Sequence, residues 1–113
     1  MTKALVTLGI DLGGTKIDTG IVDSSGRILR REVIKTSKKG PETVVNEIRD
    51  VIKRLASSEE TIIAAGIGMA GQIEGNTGLV HFAPNLGWRD FPLGSELEKV
   101  LNYPVCVTND VRA

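Results

Sequence analysis

The feature that most constrains the fold is a nearly continuous apolar run at residues 4–10, followed closely by a pair of glycines. Such a run is typical of a strand that is buried on both faces of a sheet. A second strand is predicted over residues 15–23 and a third over residues 27–35, with the turn signal Asp23-Ser24-Ser25-Gly26 between them. The chain is therefore predicted to open as a three-stranded meander.

An amphipathic helix is predicted after the meander. It starts at Gly40-Pro41, because the first helical position is where the missing N–H of proline costs least. One apolar stripe recurs at three- and four-residue spacing: Val44, Val45, Ile48, Val51, Ile52 and Leu55. A buried strand is predicted next, over residues 61–67, followed by a glycine-rich loop with a short hairpin over residues 68–82.

A second, shorter helix and a last strand complete the pattern. Ser95 and Glu98 fit a capping box for a helix that ends near Leu101, with a backward extension to Pro92. The last strand is predicted over residues 104–108. The order β-β-β-α-β-(hairpin)-α-β indicates an α/β fold with a mixed five-stranded sheet and a small hairpin insertion.

Four polar or glycine-rich groups fall at predicted strand ends. In open α/β sheets, ligands bind beyond the carboxyl ends of the strands. We therefore expect these groups to converge at one rim of the sheet: Asp11 to Lys16, Gly68 to Gly71, Pro84-Asn85, and Asn109-Asp110.

Composition narrows the classes of function. The 113 residues suffice for one small domain, and 14 basic and 14 acidic side chains cancel, so the basic excess usual in nucleic-acid binders is absent. No apolar run approaches the ~20 residues needed to cross a bilayer. The one cysteine, Cys106, cannot form an intramolecular disulfide, which fits a reducing cytoplasm, and its apolar neighbours favour a small core residue.

The first strand end has the chemistry of a phosphate site. Gly13 and Gly14 leave backbone N–H groups bare, while the Thr15 hydroxyl and the Lys16 ammonium add donors. Asp11 suits a hydrated Mg²⁺, which needs few protein ligands. The residues alone equally allow an ordinary tight hairpin turn. The segment is neither a Walker A loop nor a dinucleotide fingerprint.

The other strand ends suit a sugar. Asn85 offers a carbonyl and an amide that can pair with two hydroxyls, and Gly71 allows close backbone approach. Asn109-Asp110 combine a hydroxyl-binding amide with a carboxylate that suits a general base. Taken singly, Gly71 is more typical of a strand exit into an ordinary hairpin, and Asn109-Asp110 are more typical of a helix cap. Trp88 is expected to pack rather than to stack on a sugar.

Taken together and in order, these motifs resemble those of the ROK group of sugar kinases, which includes bacterial glucokinases, fructokinases and N-acetylmannosamine kinases. Residues 9–16 and 23–28 resemble the first phosphate motif of the wider sugar kinase, actin and heat-shock-chaperone ATPase superfamily. Residues 66–73 resemble a second motif, with Ala70 where the family usually has proline. The resemblance implies a ribonuclease H-like fold.

The resemblance also implies site roles. Asp11 would lie near a water-bound Mg²⁺, and the turn of Gly13, Gly14, Thr15 and Lys16 would hold the phosphates of ATP. The sugar-binding residues would be Gly71, Asn85, Asn109 and Asp110. Asp110 would also be the catalytic base.

The resemblance further implies that residues 1–113 are only the N-terminal lobe of a cytoplasmic enzyme, with the C-terminal lobe absent. That lobe would carry further sugar contacts, the adenosine site and a zinc cluster, so the fragment alone should be inactive. The substrate would be a hexose or N-acetylhexosamine, with no nucleic acid or membrane partner, and a homodimer is compatible. The alternatives are a sugar-sensing ROK transcriptional repressor and, less well supported, another ATPase of the actin superfamily.

Overall fold

Residues 3–109 are described by the structure, a computed structural model, as two sheets and two helices. In chain order the elements are β1 (Ala4–Leu12), β2 (Lys16–Val22), β3 (Ile28–Lys35), α1 (Pro41–Leu55), β4 (Glu60–Met69), β5 (Gln72–Glu74), β6 (Leu79–Ala83), β7 (Trp88–Phe91), α2 (Leu93–Leu101) and β8 (Val105–Asn109). The main sheet has five strands in the order β3-β2-β1-β4-β8 and the second has three, β5-β6-β7. The predicted mixed five-stranded α/β fold is confirmed.

The register of the main sheet brings three strand ends to one rim. β1 pairs antiparallel with β2 and parallel with β4, and β4 pairs parallel with β8. Leu12 lies beside Met69, which lies beside Asn109. The carboxyl ends of β1, β4 and β8 therefore meet at the same edge, as the motif order predicts.

Helix α1 forms as its sequence pattern predicts. Pro41 is its first residue, Gly40 precedes it as the N-cap, and its six apolar stripe residues are buried. Arg30 ties the end of the helix to the sheet, because its Nε donates to the Leu55 carbonyl at 2.8 Å while its guanidinium pairs with Glu60. In residues 3–109, neither helix is long and apolar enough to cross a membrane.

The core lies on one face of the main sheet only. Alternate residues of β1, from Val6 to Leu12, are buried in the same cluster as the apolar residues of both helices. The residues between them point to the other face, which no element of residues 3–109 covers, and there Leu5 is 57% exposed. The prediction that β1 is buried on both faces is therefore wrong. The core position predicted for Cys106 is also wrong, because this exposed residue alternates with buried Val107 in β8.

The second sheet is larger than the predicted hairpin. β7 adds a third strand, and its buried Trp88 packs edge-on against Phe91 with ring centroids 5.5 Å apart, which confirms the packing role. The predicted capping box is wrong, because α2 begins two residues before Ser95. The Ser95 hydroxyl donates to the Pro92 carbonyl, and the Glu98 carboxylate accepts the Val105 N–H.

Candidate functional site

The glycine turn between β1 and β2 is closed by its own backbone and held from outside. The Gly13 N–H donates to the Lys16 carbonyl at 3.0 Å. Three further bonds come from the segment that follows β3. The Thr36 hydroxyl donates to the Gly13 carbonyl at 2.7 Å, and the Thr36 N–H donates to the Thr15 carbonyl at 3.0 Å. The Lys38 ammonium donates to the Gly14 carbonyl at 2.7 Å.

This turn touches the loop that carries Asn85. A Cβ built on Gly14 would lie 2.9 Å from the Asn85 carbonyl oxygen, closer than real side chains come, and 3.0 Å from the Asn85 Cβ, which is tighter than an ordinary contact. Only glycine permits this approach. The predicted phosphate turn and the predicted sugar loop are therefore in direct contact.

A small cleft of about 80 Å³ lies where these two segments meet, lined by Asp11, Leu12, Gly13, Gly14, Ala70, Asn85 and Leu86. Asn85 is exposed, and no residue of 3–109 forms a hydrogen bond with its side chain. Its loop is fixed by backbone bonds from Leu86 and Gly87 to the Ala83 carbonyl, at 3.1 and 2.9 Å. The backbone of the loop is thus fixed, and the donors and acceptor of the Asn85 side-chain amide are available to a ligand.

Asp11 is the acidic group at this rim. It is exposed, it borders the cleft, and it also borders a depression of about 600 Å³ on the uncovered face of the sheet. The described residues contain no cluster of three or more metal-ligating side chains. A hydrated Mg²⁺ does not require one, since one or two carboxylates and the phosphates of the substrate suffice. An exposed carboxylate beside a glycine turn fits that mode of binding.

The acidic residue of β2, Asp18, is paired with an arginine. The Arg31 guanidinium donates two hydrogen bonds to the Asp18 carboxylate, of 2.8 and 2.6 Å. These hydrogen bonds hold the pKa of the Asp18 carboxyl below its usual range. Asp18 is therefore a structural ion-pair residue. Lys16 is exposed, lies on the same strand face as Asp18, and does not line the cleft.

Gly71 and Asn109 are joined by a hydrogen bond from the Asn109 side-chain amide to the Gly71 carbonyl. Gly71 has φ +150°, and a Cβ there would lie 2.6 Å from the Phe82 carbonyl oxygen, so this position needs glycine. Asn109 lines a separate depression of about 380 Å³ with Ile73, Gly75, Val107 and Thr108. The structure therefore brings the turn and Asn85 into one cleft and places Asn109 at the adjoining part of the rim. Asp110, the predicted base, lies outside the described residues.

Thr36 and Lys38 are contacts of the turn that sequence reasoning missed, since Lys38 has the pattern of a solvated surface residue. No local motif marks either residue. A signal does exist in the hairpin register: Lys16 pairs with Lys35, which puts residue 36 beside residue 15.

Comparison with known proteins establishes the family. The sequence profile of the ROK family matches residues 7–113. The chain belongs to the ROK family. It is 40% identical over 108 residues to a glucokinase of Streptomyces coelicolor, covering 96% of this chain and 33% of that protein. It is also 31% identical over 115 residues to the xylose repressor of Bacillus spizizenii, covering 98% of this chain and 30% of the repressor.

The fold agrees with this assignment. The structure matches that of a ROK family glucokinase from Streptomyces griseus in complex with glucose and AMPPNP, with a TM-score of 0.83 and 40% identity, covering 93% of this chain and 33% of the glucokinase. The chain therefore has the fold of ROK sugar kinases and spans about a third of the length of the curated relatives it matches.

Proposed function

We propose that this chain is the N-terminal lobe of an ATP-dependent hexose kinase. The observation that supports the proposal most directly is the contact between the glycine turn and the Asn85 loop at the carboxyl rim of the sheet. A phosphate held by the turn and a hydroxyl held by Asn85 would lie side by side there. Such proximity is the main requirement of phosphoryl transfer, in which positioning and charge stabilisation do most of the work.

On the nucleotide side, this chain supplies backbone donors and one carboxylate. Bound MgATP would provide the phosphoryl group, and Asp11 would orient the hydrated metal ion. Gly13, Gly14 and Thr15 would surround the phosphates, with Lys16 adding positive charge nearby. Since Lys16 faces the uncovered side of the sheet, its contribution would be charge rather than a contact in the cleft.

On the sugar side, Asn85 and Asn109 would bind hydroxyls, and Gly71 would hold Asn109 in position through its carbonyl. Asp110 would accept the proton of the attacking hydroxyl as the new phosphate ester bond forms. The substrate class is a hexose or an N-acetylhexosamine.

The test is an assay of the intact parent with ATP, Mg²⁺ and a panel of hexoses. We expect Asp110→Asn to lower turnover at least about 10²-fold without loss of folding, because general-base catalysis contributes about 10²- to 10⁴-fold. Asp50→Asn is the matched control, since Asp50 is an exposed carboxylate on α1 whose side chain accepts hydrogen bonds from the adjacent Arg49. Full turnover in the Asp110 variant would remove this residue from the role of base.

A sugar-sensing repressor is the second candidate, favoured by the likeness to xylose repressors at 30–33% identity. A repressor would bind sugar without consuming ATP. The same assay separates the two readings: sugar binding without ATP turnover would favour the repressor.

The kinase proposal carries three further expectations for the parent: a zinc site in the second lobe, a homodimer and a cytoplasmic location. The free and exposed Cys106 suits a reducing compartment. Metal analysis and the solution mass of the intact protein check the first two.

A further inference from the structure

The three consecutive carbonyls of the glycine turn are all held by the segment Thr36 to Lys38, here named the strap. Gly13 and Thr15 accept from Thr36, and Gly14 accepts from Lys38. Thr36 is only 5% exposed, and its hydroxyl is directed at the Gly13 carbonyl. Every carbonyl that the turn could offer to its surroundings is therefore occupied from one side.

The strap also determines where the amide donors of the turn point. In a trans peptide the N–H of one residue lies opposite the C=O of the residue before it. Holding the Gly13 and Gly14 carbonyls on the strap side therefore directs the N–H groups of Gly14 and Thr15 away from it. Within residues 3–109, neither of these N–H groups donates to a protein acceptor. Adjacent unpaired N–H groups with a common direction form a concavity that binds anions.

The position of the strap follows from the fold. The β2–β3 hairpin pairs Lys16 with Lys35, so the residues after β3 must pass beside the turn. Lys38 then places an ammonium 2.7 Å from the turn backbone. Lys39, the next residue but one after Ser37, is also exposed, and within residues 3–109 its one hydrogen bond runs from its backbone N–H to the Ser37 hydroxyl.

We propose that Thr36 and Lys38 are positioning residues for the nucleotide phosphates. This inference deepens the proposed kinase function and rests on it. Thr36 fixes the direction of the amide donors, and Lys38 fixes the Gly14 carbonyl and adds positive charge at the turn. Neither residue takes part in proton transfer, and neither belongs to the sugar loop.

The test measures the calorimetric Kd of MgATP for the intact parent and, separately, the KM for its hexose. Thr36→Val keeps the shape of the side chain and removes its donor, and we expect about a 5- to 10-fold weaker binding of MgATP, the usual effect of losing one hydrogen bond to a buried group. Thr36→Ser restores the donor and should bind within about twofold of wild type. Lys38→Met should weaken MgATP binding about 3- to 5-fold, because solvent reduces the effect of an exposed charge, whereas the matched control Lys39→Met should leave it unchanged.

Comparing the change in the Kd of MgATP with the change in the hexose KM distinguishes a positioning role from a general loss of structure. We expect the hexose KM to stay within about twofold in every variant. Wild-type affinity for MgATP in both Thr36→Val and Lys38→Met would overturn the inference, and so would a parallel rise in the hexose KM. If Thr36→Val does not fold, the exposed Lys38→Met variant decides alone.

The outcome also separates this inference from the kinase proposal. If the parent phosphorylates a hexose while its strap variants bind MgATP normally, only the inference about the strap is refuted. If MgATP binding depends on the strap but the parent phosphorylates no sugar, only the kinase proposal is refuted. A wild-type parent that does not bind MgATP would refute both.

Discussion

Gly14→Ala tests the contact on which the candidate site depends. The added methyl group would lie 2.9 Å from the Asn85 carbonyl oxygen and 3.0 Å from the Asn85 Cβ. Since an ordinary contact begins near 3.4 Å, the turn and the loop would have to separate by about 0.5 Å. Overpacking of this kind costs about 1–3 kcal/mol.

Both ligands should respond to this change, because the displaced groups belong to both halves of the site. We expect the affinity for MgATP to fall and the hexose KM to rise together. Each should change by about tenfold for every 1.4 kcal/mol of binding free energy that is lost. This pattern differs from that of the strap variants, which should affect MgATP alone. Urea denaturation of the intact parent measures the loss in free energy of unfolding.

Gly75→Ala is the matched control for this experiment. An added Cβ at Gly75 meets nothing within 4 Å, and the residue has no positive φ. We expect its stability within about 0.5 kcal/mol of wild type, as for an ordinary surface substitution. Equal stability in Gly14→Ala and Gly75→Ala would show that the turn and the Asn85 loop do not touch as described.

Three further predictions address the loop and two titrating groups. Asn85→Ala should raise the hexose KM while leaving unfolding unchanged, because the side chain is exposed and unbonded within residues 3–109; an unchanged KM would exclude Asn85 from sugar binding. Burial raises the pKa of Tyr103 to about 12, so the stability it supports is present below pH ~10 and is lost as pH rises toward 12. A difference ultraviolet titration against Tyr103→Phe should show that midpoint, and one near 10 would contradict the burial. Hydrogen bonds from the Ser25 hydroxyl and the Arg27 N–H lower the pKa of Asp23 to about 2, so its contribution is present above pH ~4 and is lost as pH falls toward 2. Carboxyl NMR titration measures this value, and Asp23→Asn should lack the acid-dependent step.

Local patterns predicted the parts of the fold that depend on local physics. Pro41 and the apolar stripe of α1 specify a helix start and a buried face without reference to other elements. The ends of strands were predicted less accurately than the helix. The apolar run ends at residue 10, whereas β1 continues to Leu12, where its pairing with β4 also ends. The capping-box pattern failed because Ser95 lies inside the first turn of α2 and not before it.

The positions of the candidate site residues in the fold were easier to predict from the sequence than the contacts between them. Strand order alone places Leu12, Met69 and Asn109 at one rim. The approach of Gly14 to Asn85 and the bonds of the strap join residues far apart in sequence, and no periodicity encodes such pairs. The burial of Cys106 was misjudged because apolar neighbours along a strand do not reveal which face of the sheet is covered.

The uncovered face of the main sheet has a practical consequence. Gly9 lies beside Gly20 on one side and Gly66 on the other, so these three positions contribute no side chains to the middle of this face. The apolar residues Leu5, Ile28 and Val33, which are 57%, 58% and 46% exposed, lie on the same face. Surfaces of this kind adhere to one another in water. Expressed by itself, the 113-residue chain should self-associate as its concentration rises, and calorimetry on it would measure that association together with folding.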